Sequence, residues 1–177
     1  MLFRSYTRES YLDLVARIRD RLPEVAVSTD MIVGFPGETE ADFEETLSLT
    51  AEVGYHSMFS FKYSPRPNTL ADKRLEDDVA EDVKTSRIVR LQALQRDIQT
   101  RLNLALVGQE VDVLVDQVSR RRETELSGRT STNVVVNLPG SAAWMGRTLR
   151  VRVARAGPHS VWGTVAREAP DASGGRS

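Results

Sequence analysis

The feature that most constrains the fold is an apolar run, a glycine turn and a helix start in direct succession. It covers residues 25–39, with the sequence VAVSTDMIVGFPGET. A short run rich in valine and isoleucine, with little alternation, is typical of a parallel strand covered on both faces. Thr39 and Asp42 then form a capping-box pattern for a helix start. Ligands bind at the loop of such units because glycine allows close backbone approach. Alone, however, GFPGE favours an ordinary strand-to-helix turn.

The residues around this stretch predict alternating helices and strands. Tyr11, Val15, Ile18 and Leu22 repeat on one apolar helix face, which predicts an amphipathic helix that ends before Pro23. The further predicted elements are a helix over 40–53, a strand over 56–63 and a long helix over 81–106. This order predicts two neighbouring parallel strands, which are too few to form a stable sheet by themselves.

After Gly108 the pattern changes from helical to short strands separated by polar, glycine and proline turns. Five strands are predicted over residues 111–115, 126–130, 134–137, 149–154 and 161–166. Five short strands in so few residues indicate a small OB-like barrel, a fold that often binds single-stranded nucleic acid. The predicted domains are therefore residues 1–106, residues 107–167 and a disordered tail over 168–177.

Charge differs between the two predicted domains. Residues 1–106 hold 14 lysines and arginines against 18 acidic residues, a net charge of −4. Residues 107–165 hold 8 arginines, no lysine and 5 acidic residues, a net charge of +3. Because the planar guanidinium suits phosphates and base edges better than an ammonium group does, the second domain is a candidate for binding nucleic acid.

Composition excludes several kinds of site. The chain has no cysteine, which removes disulfides, thiolate zinc sites and iron–sulfur ligation, and its two histidines are far apart in sequence. No apolar run approaches the roughly 20 residues that span a bilayer. Arginines interrupt the N-terminus, which therefore does not look like a signal peptide. We expect a cytoplasmic protein with no membrane partner and no metal site on this polypeptide.

Four blocks, in order, resemble one enzyme family. They are MLFRSYTRESYLDLV at residues 1–15, STDMIVGFPGETEADFEETL at 28–47, FSFKYSPRPNT at 59–69 and SGRTSTNVVVNLPG at 127–140. With this spacing, residues 1–166 resemble the C-terminal portion of the tRNA methylthiotransferases, which are radical S-adenosylmethionine (SAM) enzymes. The third and fourth blocks are more similar to the branch that modifies isopentenylated adenosine than to the branch that modifies a ribosomal protein. Asn68 stands where we expect a glycine.

The resemblance implies an α/β fold: the C-terminal part of a partial TIM-like radical SAM barrel, followed by a small OB-like all-β TRAM barrel that binds RNA. Residues 30–38 look like the fifth barrel strand and its SAM-facing turn. There Ile32 would pack against the adenine, and Gly34 and Gly37 would let the backbone approach the cofactor. Arg66, on the loop after the sixth strand, would meet the SAM carboxylate or the substrate. The alternatives are a core residue for Ile32 and a solvated loop residue for Arg66.

The family's iron–sulfur ligands are missing from this chain. Family members hold one [4Fe-4S] cluster on a CxxxCxxC motif and another on three cysteines of an N-terminal domain, whereas this chain has no cysteine. The resemblance implies that the complete enzyme uses SAM and [4Fe-4S] clusters, and that this chain alone does not catalyse methylthiolation. It looks like a truncated product that lacks the N-terminal cluster domain and the first barrel strands.

The expected RNA partner is the tRNA anticodon stem-loop, and the candidate contacts are arginines of the second domain. Arg120, Arg121 and Arg122 form a run in a predicted turn, and Arg129 and Asn133 lie in the SGRTSTN block. The alternative for the run is a solvated hairpin. Four further arginines could extend this patch: Arg147, Arg150, Arg152 and Arg155. Trp144 and Trp162 could stack on bases or fill the barrel ends.

The predicted function is therefore that of the C-terminal portion of a radical SAM enzyme that adds a 2-methylthio group to N6-isopentenyladenosine next to the tRNA anticodon. This chain would contribute part of the SAM site and the tRNA-binding barrel. Two alternatives stay open at the level of sequence: a stand-alone TRAM module that binds RNA without chemistry, and a member of the sister branch that methylthiolates a ribosomal protein.

Overall fold

The computed structural model describes residues 6–118 and 125–168, the side chains of residues 167 and 168 excepted. The helices are α1 (Arg8–Arg21), α2 (Glu40–Val53), α3 (Leu70–Arg74) and α4 (Glu81–Ala105). The strands are β1 (Ser28–Val33), β2 (Ser57–Lys62), β3 (Glu110–Val118), β4 (Glu125–Arg129), β5 (Val135–Pro139), β6 (Thr148–Ala156) and β7 (Val161–Glu168). The chain divides into two compact units, Met1–Gln99 and Thr100–Ser177.

Helix α2 begins and ends at the residues that the sequence predicts. The Thr39 hydroxyl accepts a hydrogen bond from the Asp42 amide at 3.2 Å, and the Asp42 carboxylate accepts one from the Thr39 amide at 2.9 Å. The hydrogen bonds from Thr39 also lower the pKa of Asp42. Gly54 ends the helix in the left-handed region, with φ at +61°. The predicted capping box and helix stop are confirmed.

Strands β1 and β2 pair in parallel as predicted, but only one face of this small sheet is covered. Val33 is fully buried with Phe43 of α2 and Leu91 of α4, and it points to the face that the helices pack against. On the opposite face Ile32, directly opposite Phe61 in the register, is 54% exposed. The prediction of a strand covered on both faces is wrong for this structure, because within the described residues the covering helices lie on one side only.

The apolar face predicted for α1 is only partly buried. Val15 is 6% exposed, whereas Ile18 and Leu22 are 37% and 59% exposed. The helix packs on the first unit through its N-terminal half, where Tyr11, Leu12 and Val15 contact the cluster around Val53. The predicted helix is present, and its apolar face is covered at Val15 but exposed at Ile18 and Leu22. In the ranges that the structure describes, no helix combines the length and the apolarity that a membrane crossing requires.

The second unit contains a closed barrel with the strand order β3-β4-β5-β7-β6, which confirms the prediction of a small five-stranded barrel. All its neighbouring strands are antiparallel except β5 and β7, which pair in parallel. Each buried valine or leucine contributes roughly 1.5–3 kcal/mol through removal from water. In the described part of the barrel, the buried core consists of Val113, Val115, Leu126, Val136, Leu138, Leu149, Val151, Val153 and Val161.

Gly128 is required where β4 pairs with β3. A Cβ atom at this position would collide with the backbone oxygen of Leu114 and lie 2.7 Å from the Val113 side chain. The glycine in the SGRTSTN block is therefore explained by close strand packing on the barrel wall. Residues 169–177, nearly all of the predicted tail, lie outside the described residues.

Candidate cofactor face and nucleic-acid interface

The open face of the β1–β2 sheet carries large apolar side chains. The register places Asp30 opposite Phe59 and Ile32 opposite Phe61, so that these four residues share the uncovered face. Ile32, Phe59 and Phe61 are 54%, 63% and 53% exposed. An exposed apolar surface on a parallel sheet, beside the loops at the carboxyl ends of its strands, fits a flat ring such as a nucleobase. The structure thus leaves Ile32 available for such contact and does not bury it in the core.

The turn after β1 is anchored by a buried ion pair. The Glu38 carboxylate accepts hydrogen bonds from the Gly34 amide and from Arg87 Nη1 of α4, the latter at 2.9 Å. Arg87 Nη1 also donates to the Glu38 carbonyl at 3.1 Å. The side chains of Arg87 and Glu38 are only 6% and 10% exposed. This pair fixes the distance between the turn and α4 within the first unit.

Lys84, three residues before Arg87 on α4, supports the same turn. Its side chain is 4% exposed and its Nζ lies 2.6 Å from Asp77 Oδ1, and the ammonium group lies 5.5 Å from the centre of the Tyr63 ring. Gly34, with φ at +70°, leaves the space that the Lys84 methylenes occupy, since a Cβ there would collide with them. The close approach observed at Gly34 is therefore that of Lys84. A role of Gly34 toward a cofactor stays a prediction.

The other predicted loop residues lie at the same end of the sheet. The Gly37 amide donates to Asp78 at 2.8 Å, and Phe35 packs edge-on against Tyr63 with 5.1 Å between ring centres, which joins the two loops. Arg66 is exposed, and within the described ranges its guanidinium makes no hydrogen bond or ion pair. Asn68 has φ at +71°. Asparagine tolerates this left-handed conformation, which explains how it stands in place of the expected glycine.

Two further polar contacts in the first unit involve groups with shifted pKa values. Hydrogen bonds from Arg90, and to a smaller extent from Arg87, lower the pKa of Glu40. Burial, followed by the nearby charge of Arg19, lowers the pKa of His56. His56 Nδ1 accepts a hydrogen bond from the Val27 amide at 3.4 Å, which is consistent with a neutral imidazole. The Arg90–Glu40 pair joins α4 to α2, and the His56 contact joins the segments that precede β2 and β1.

In the barrel the structure brings two of the predicted RNA contacts together. Arg129 Nη1 donates to Asn133 Oδ1 at 2.8 Å, and Arg129 Nε lies 3.4 Å from Asp116 Oδ2. Asn133 has φ at +64°, in the turn between β4 and β5. Arg129 is exposed and its guanidinium is oriented by these two neighbours. Arg120, Arg121 and Arg122 lie outside the described residues, and their roles stay predictions.

The arginines of β6 are paired with acidic residues of β3. Asp112 and Arg150 are directly opposite in the register, as are Glu110 and Arg152. Arg150 Nη1 lies 3.0 Å from Asp112 Oδ2, and Arg152 Nη2 lies 2.6 Å from Glu110 Oε1. These pairs reduce the positive charge that the two arginines present to an anion. The expected extension of the basic patch along β6 is therefore largely neutralised.

The two tryptophans occupy different positions. Trp144 is half-buried, packs against the barrel core and lies against Gly140, as expected for a residue that fills a barrel end. Trp162 lies on the outer side of β7, where the Arg155 guanidinium stacks over its ring at 4.1 Å from the ring centre. The expectation of a barrel-end role is thus confirmed for Trp144 and wrong for Trp162, because Trp162 alternates with the inward Val161 and Gly163.

The sequence did not identify several of the residues that support these sites. Lys84 and Arg87 are charged residues of a helix, a pattern that ordinarily indicates a solvated face, yet both are buried. Their partners Asp77 and Glu38 come from different parts of the chain. The pairing of Glu110 and Asp112 with the arginines of β6 depends on the register between β3 and β6.

In the described ranges no group of three or more histidine, cysteine, aspartate or glutamate side chains could hold a metal ion.

Comparison with known proteins relates most of this chain to one group of enzymes. The family model of the TRAM domain matches residues 104–166, which span nearly the whole barrel. The tRNA-2-methylthio-N(6)-dimethylallyladenosine synthase of Moorella thermoacetica is 48% identical over 156 residues, which are 88% of this chain. The chain corresponds to the C-terminal part of the members of this synthase family, with its TRAM domain. It spans 35% of the length of that relative and matches the C-terminal part of it.

Other family members give the same result. The synthases of the same name from Clostridium botulinum (strain Okra / Type B1) and Myxococcus xanthus are 48% and 47% identical, over 90% and 92% of this chain and 35% and 36% of their own length. Among solved structures, the apo form of Mycoplasma genitalium RNase R is 10% identical, with a TM-score of 0.32 over 54% of this chain and 19% of that chain. A TM-score this low carries no argument about function.

Proposed function

We propose that this chain acts as the C-terminal portion of a radical SAM methylthiotransferase that adds a 2-methylthio group to N6-isopentenyladenosine next to the tRNA anticodon. The observation that carries the proposal is the 48% identity to the Moorella thermoacetica synthase across 88% of the chain. In this proposal residues 1–106 contribute part of a TIM-like SAM barrel, and residues 107–167 form the domain that binds tRNA. The alternative of a sister-branch enzyme that methylthiolates a ribosomal protein is not favoured, because the similar proteins are named as tRNA-modifying synthases.

The open sheet face is the part of this chain that fits SAM. Ile32 and Phe61 offer an exposed apolar surface of the kind that packs against an adenine ring, and Asp30 offers a hydrogen-bond acceptor on the same face. Arg66, exposed in the loop after β2, would meet the SAM carboxylate or the substrate. When bound, SAM supplies the radical and the methyl group of the reaction. This chain's own residues bind and orient it.

The iron–sulfur clusters do not fit this chain. It has no cysteine, and no carboxylate or histidine group of the described residues replaces a cluster's thiolates. We infer that the cluster ligands come from other sequence and that the purified chain does not methylthiolate tRNA by itself. Its contribution is to hold one side of the cofactor face and to bind the RNA.

The RNA half of the proposal is tested by binding of a fluorescent anticodon stem-loop to the full 177-residue chain across a salt series. We expect affinity that falls steeply with salt, and a slope that drops by about one on Arg129→Ala if this arginine contacts a phosphate. The matched control is Arg17→Ala, an exposed arginine of α1 whose partner Asp13 lies 3.9 Å away. Absence of binding at low salt would overturn this half of the proposal.

A further inference from the structure

Four outward-facing side chains form a continuous stripe across four strands of the barrel. Ser127 of β4 is directly opposite Asn137 of β5, and Asn137 is opposite Trp162 of β7. Trp162 is in turn opposite Arg155 of β6. Ser127, Asn137 and Trp162 each alternate with buried core residues, so their side chains share the outer surface. We call this set the Ser127–Arg155 stripe.

One end of the stripe combines an aromatic ring with a cation. The guanidinium of Arg155 lies over the Trp162 ring at 4.1 Å from the ring centre. Gly157 makes room for that ring, since a Cβ there would lie 3.1 Å from Trp162 Cζ3. Arg155 is exposed, and no carboxylate of the described residues pairs with it. This end therefore presents a flat, positively charged surface to solvent.

The other end offers hydrogen-bonding groups that have no partner among the residues that the structure describes. The Ser127 hydroxyl and the Asn137 amide are half-buried, and neither makes a hydrogen bond to another described residue. An asparagine amide can donate and accept at once, as the edge of a nucleobase requires. By contrast, the nearby Arg150 and Arg152 are engaged in ion pairs with β3.

We propose that the Ser127–Arg155 stripe binds one unpaired nucleotide of an RNA. The base stacks on the Trp162–Arg155 surface, its edge hydrogen-bonds to Asn137 and Ser127, and Arg155 also attracts the adjoining phosphate. The stripe requires an unpaired base, because stacking on an exposed ring and contact with the base edge are both blocked inside a duplex. This inference rests on the proposed RNA-binding function and assigns it to particular side chains.

Tryptophan fluorescence gives a direct test, because the chain has only two tryptophans. In the Trp144→Phe variant Trp162 is the only tryptophan, and in the Trp162→Phe variant Trp144 is, so that excitation selective for tryptophan reports on one residue at a time. The RNA probes are an anticodon stem-loop and a fully paired duplex of the same stem. We expect the stem-loop to quench Trp162 in a saturable manner and to leave Trp144 unchanged, while the duplex quenches neither.

Affinity measurements on the full chain test the energetic role of the same residues. Stacking of a base on an aromatic ring contributes strongly to the affinity for single-stranded nucleic acid, so we expect Trp162→Leu to weaken stem-loop binding by at least about fivefold. Arg155→Lys, which keeps the charge and loses the planar stack, and Asn137→Ala should each weaken it less. The matched control is Arg150→Ala, which removes an ion-paired arginine of β6 and should change affinity by less than about twofold.

The outcomes separate this inference from the proposed function. If the chain binds the stem-loop but Trp162 is not quenched and Trp162→Leu binds as tightly as the parent, the stripe is not the RNA site, although RNA binding stands. The same pattern is expected if the stripe contacts a protein. If the parent chain binds no stem-loop at low salt, both proposals are overturned. Circular dichroism of each variant shows whether the barrel remains folded, and the Trp144→Phe measurement leaves the stripe intact.

Discussion

At the residue scale, Arg87 is the side chain whose loss should matter most in the first unit. Arg87→Met removes the partner of Glu38 and leaves a carboxylate that is only 10% exposed without its counter-charge. Breaking a buried ion pair on one side costs about 3–5 kcal/mol. We expect the free energy of unfolding, measured by urea denaturation with circular dichroism, to fall by about 3 kcal/mol or more.

Arg90→Met is the matched control for this prediction. Arg90 also lies over the Phe43 ring, at 4.9 Å against 5.6 Å for Arg87, but its side chain is 43% exposed where it pairs with Glu40 and Glu44. An exposed ion pair contributes about 1 kcal/mol or less. In the double variant Arg87→Met with Glu38→Gln, the glutamine can still accept from the Gly34 amide, and most of the stability should return. If Arg87→Met and Arg90→Met lowered the free energy of unfolding equally, the special role of the buried Arg87–Glu38 ion pair would be contradicted.

At the element scale, β3 determines how much positive charge the barrel presents. Glu110→Gln together with Asp112→Asn would release Arg152 and Arg150 from their cross-strand partners. We expect tighter RNA binding at low salt, with a salt dependence steeper by about 0.7 for each released arginine that contacts a phosphate. The loss of stability should stay below about 1 kcal/mol for each pair. The measurement is a stem-loop titration across a salt series.

A control with the same change in net charge separates local release from overall charge. Asp13→Asn with Asp20→Asn also removes two negative charges, from the exposed side of α1 in the other unit. If this control tightens RNA binding as much as the β3 variant does, the freed arginines of β6 are not the cause. A β3 variant that binds no more tightly than the parent would likewise contradict the prediction.

Elements whose signals are local were predictable from sequence, and those that depend on distant partners were not. Thr39 and Gly54 set the ends of α2 through hydrogen bonds and backbone angles within a few residues, and both were predicted. The burial of Arg87 depends on Glu38, which lies 49 positions away. The strand that contains Ile32 was predicted to be covered on both faces, and it is not, because an apolar run does not show which of its faces another element covers.

The same distinction applies to the candidate sites. Arg129 and Asn133 lie four residues apart in one block, and the structure brings them into contact. The Ser127–Arg155 stripe was not predicted as a unit, because its members come from four strands whose register only the folded barrel defines. Trp162 was named among the candidates, but its outward position depends on the alternation of β7.

At the scale of the whole molecule, the two compact units have cores of very different extent. Among the described residues, the barrel encloses nine buried residues in one continuous cluster, and its five strands close on themselves. The described part of the first unit has two clusters of three buried residues each, and its two-stranded sheet exposes Ile32, Phe59 and Phe61. Two strands with one uncovered face are a marginal arrangement in water. The first unit should therefore unfold more easily than the barrel.

We predict two separate unfolding transitions, and the chain's own chromophores distinguish them. Both tryptophans lie in the barrel, whereas most helical residues belong to the first unit. Helical circular dichroism should be lost at lower urea than tryptophan fluorescence changes. Leu91→Ala and Leu149→Ala remove the same fully buried side chain type from α4 and from the barrel, each at a cost of about 2–5 kcal/mol. The first should shift only the dichroism transition, and the second only the fluorescence transition. A single coincident transition, independent of concentration and shifted equally by both variants, would show that the chain folds as one cooperative unit.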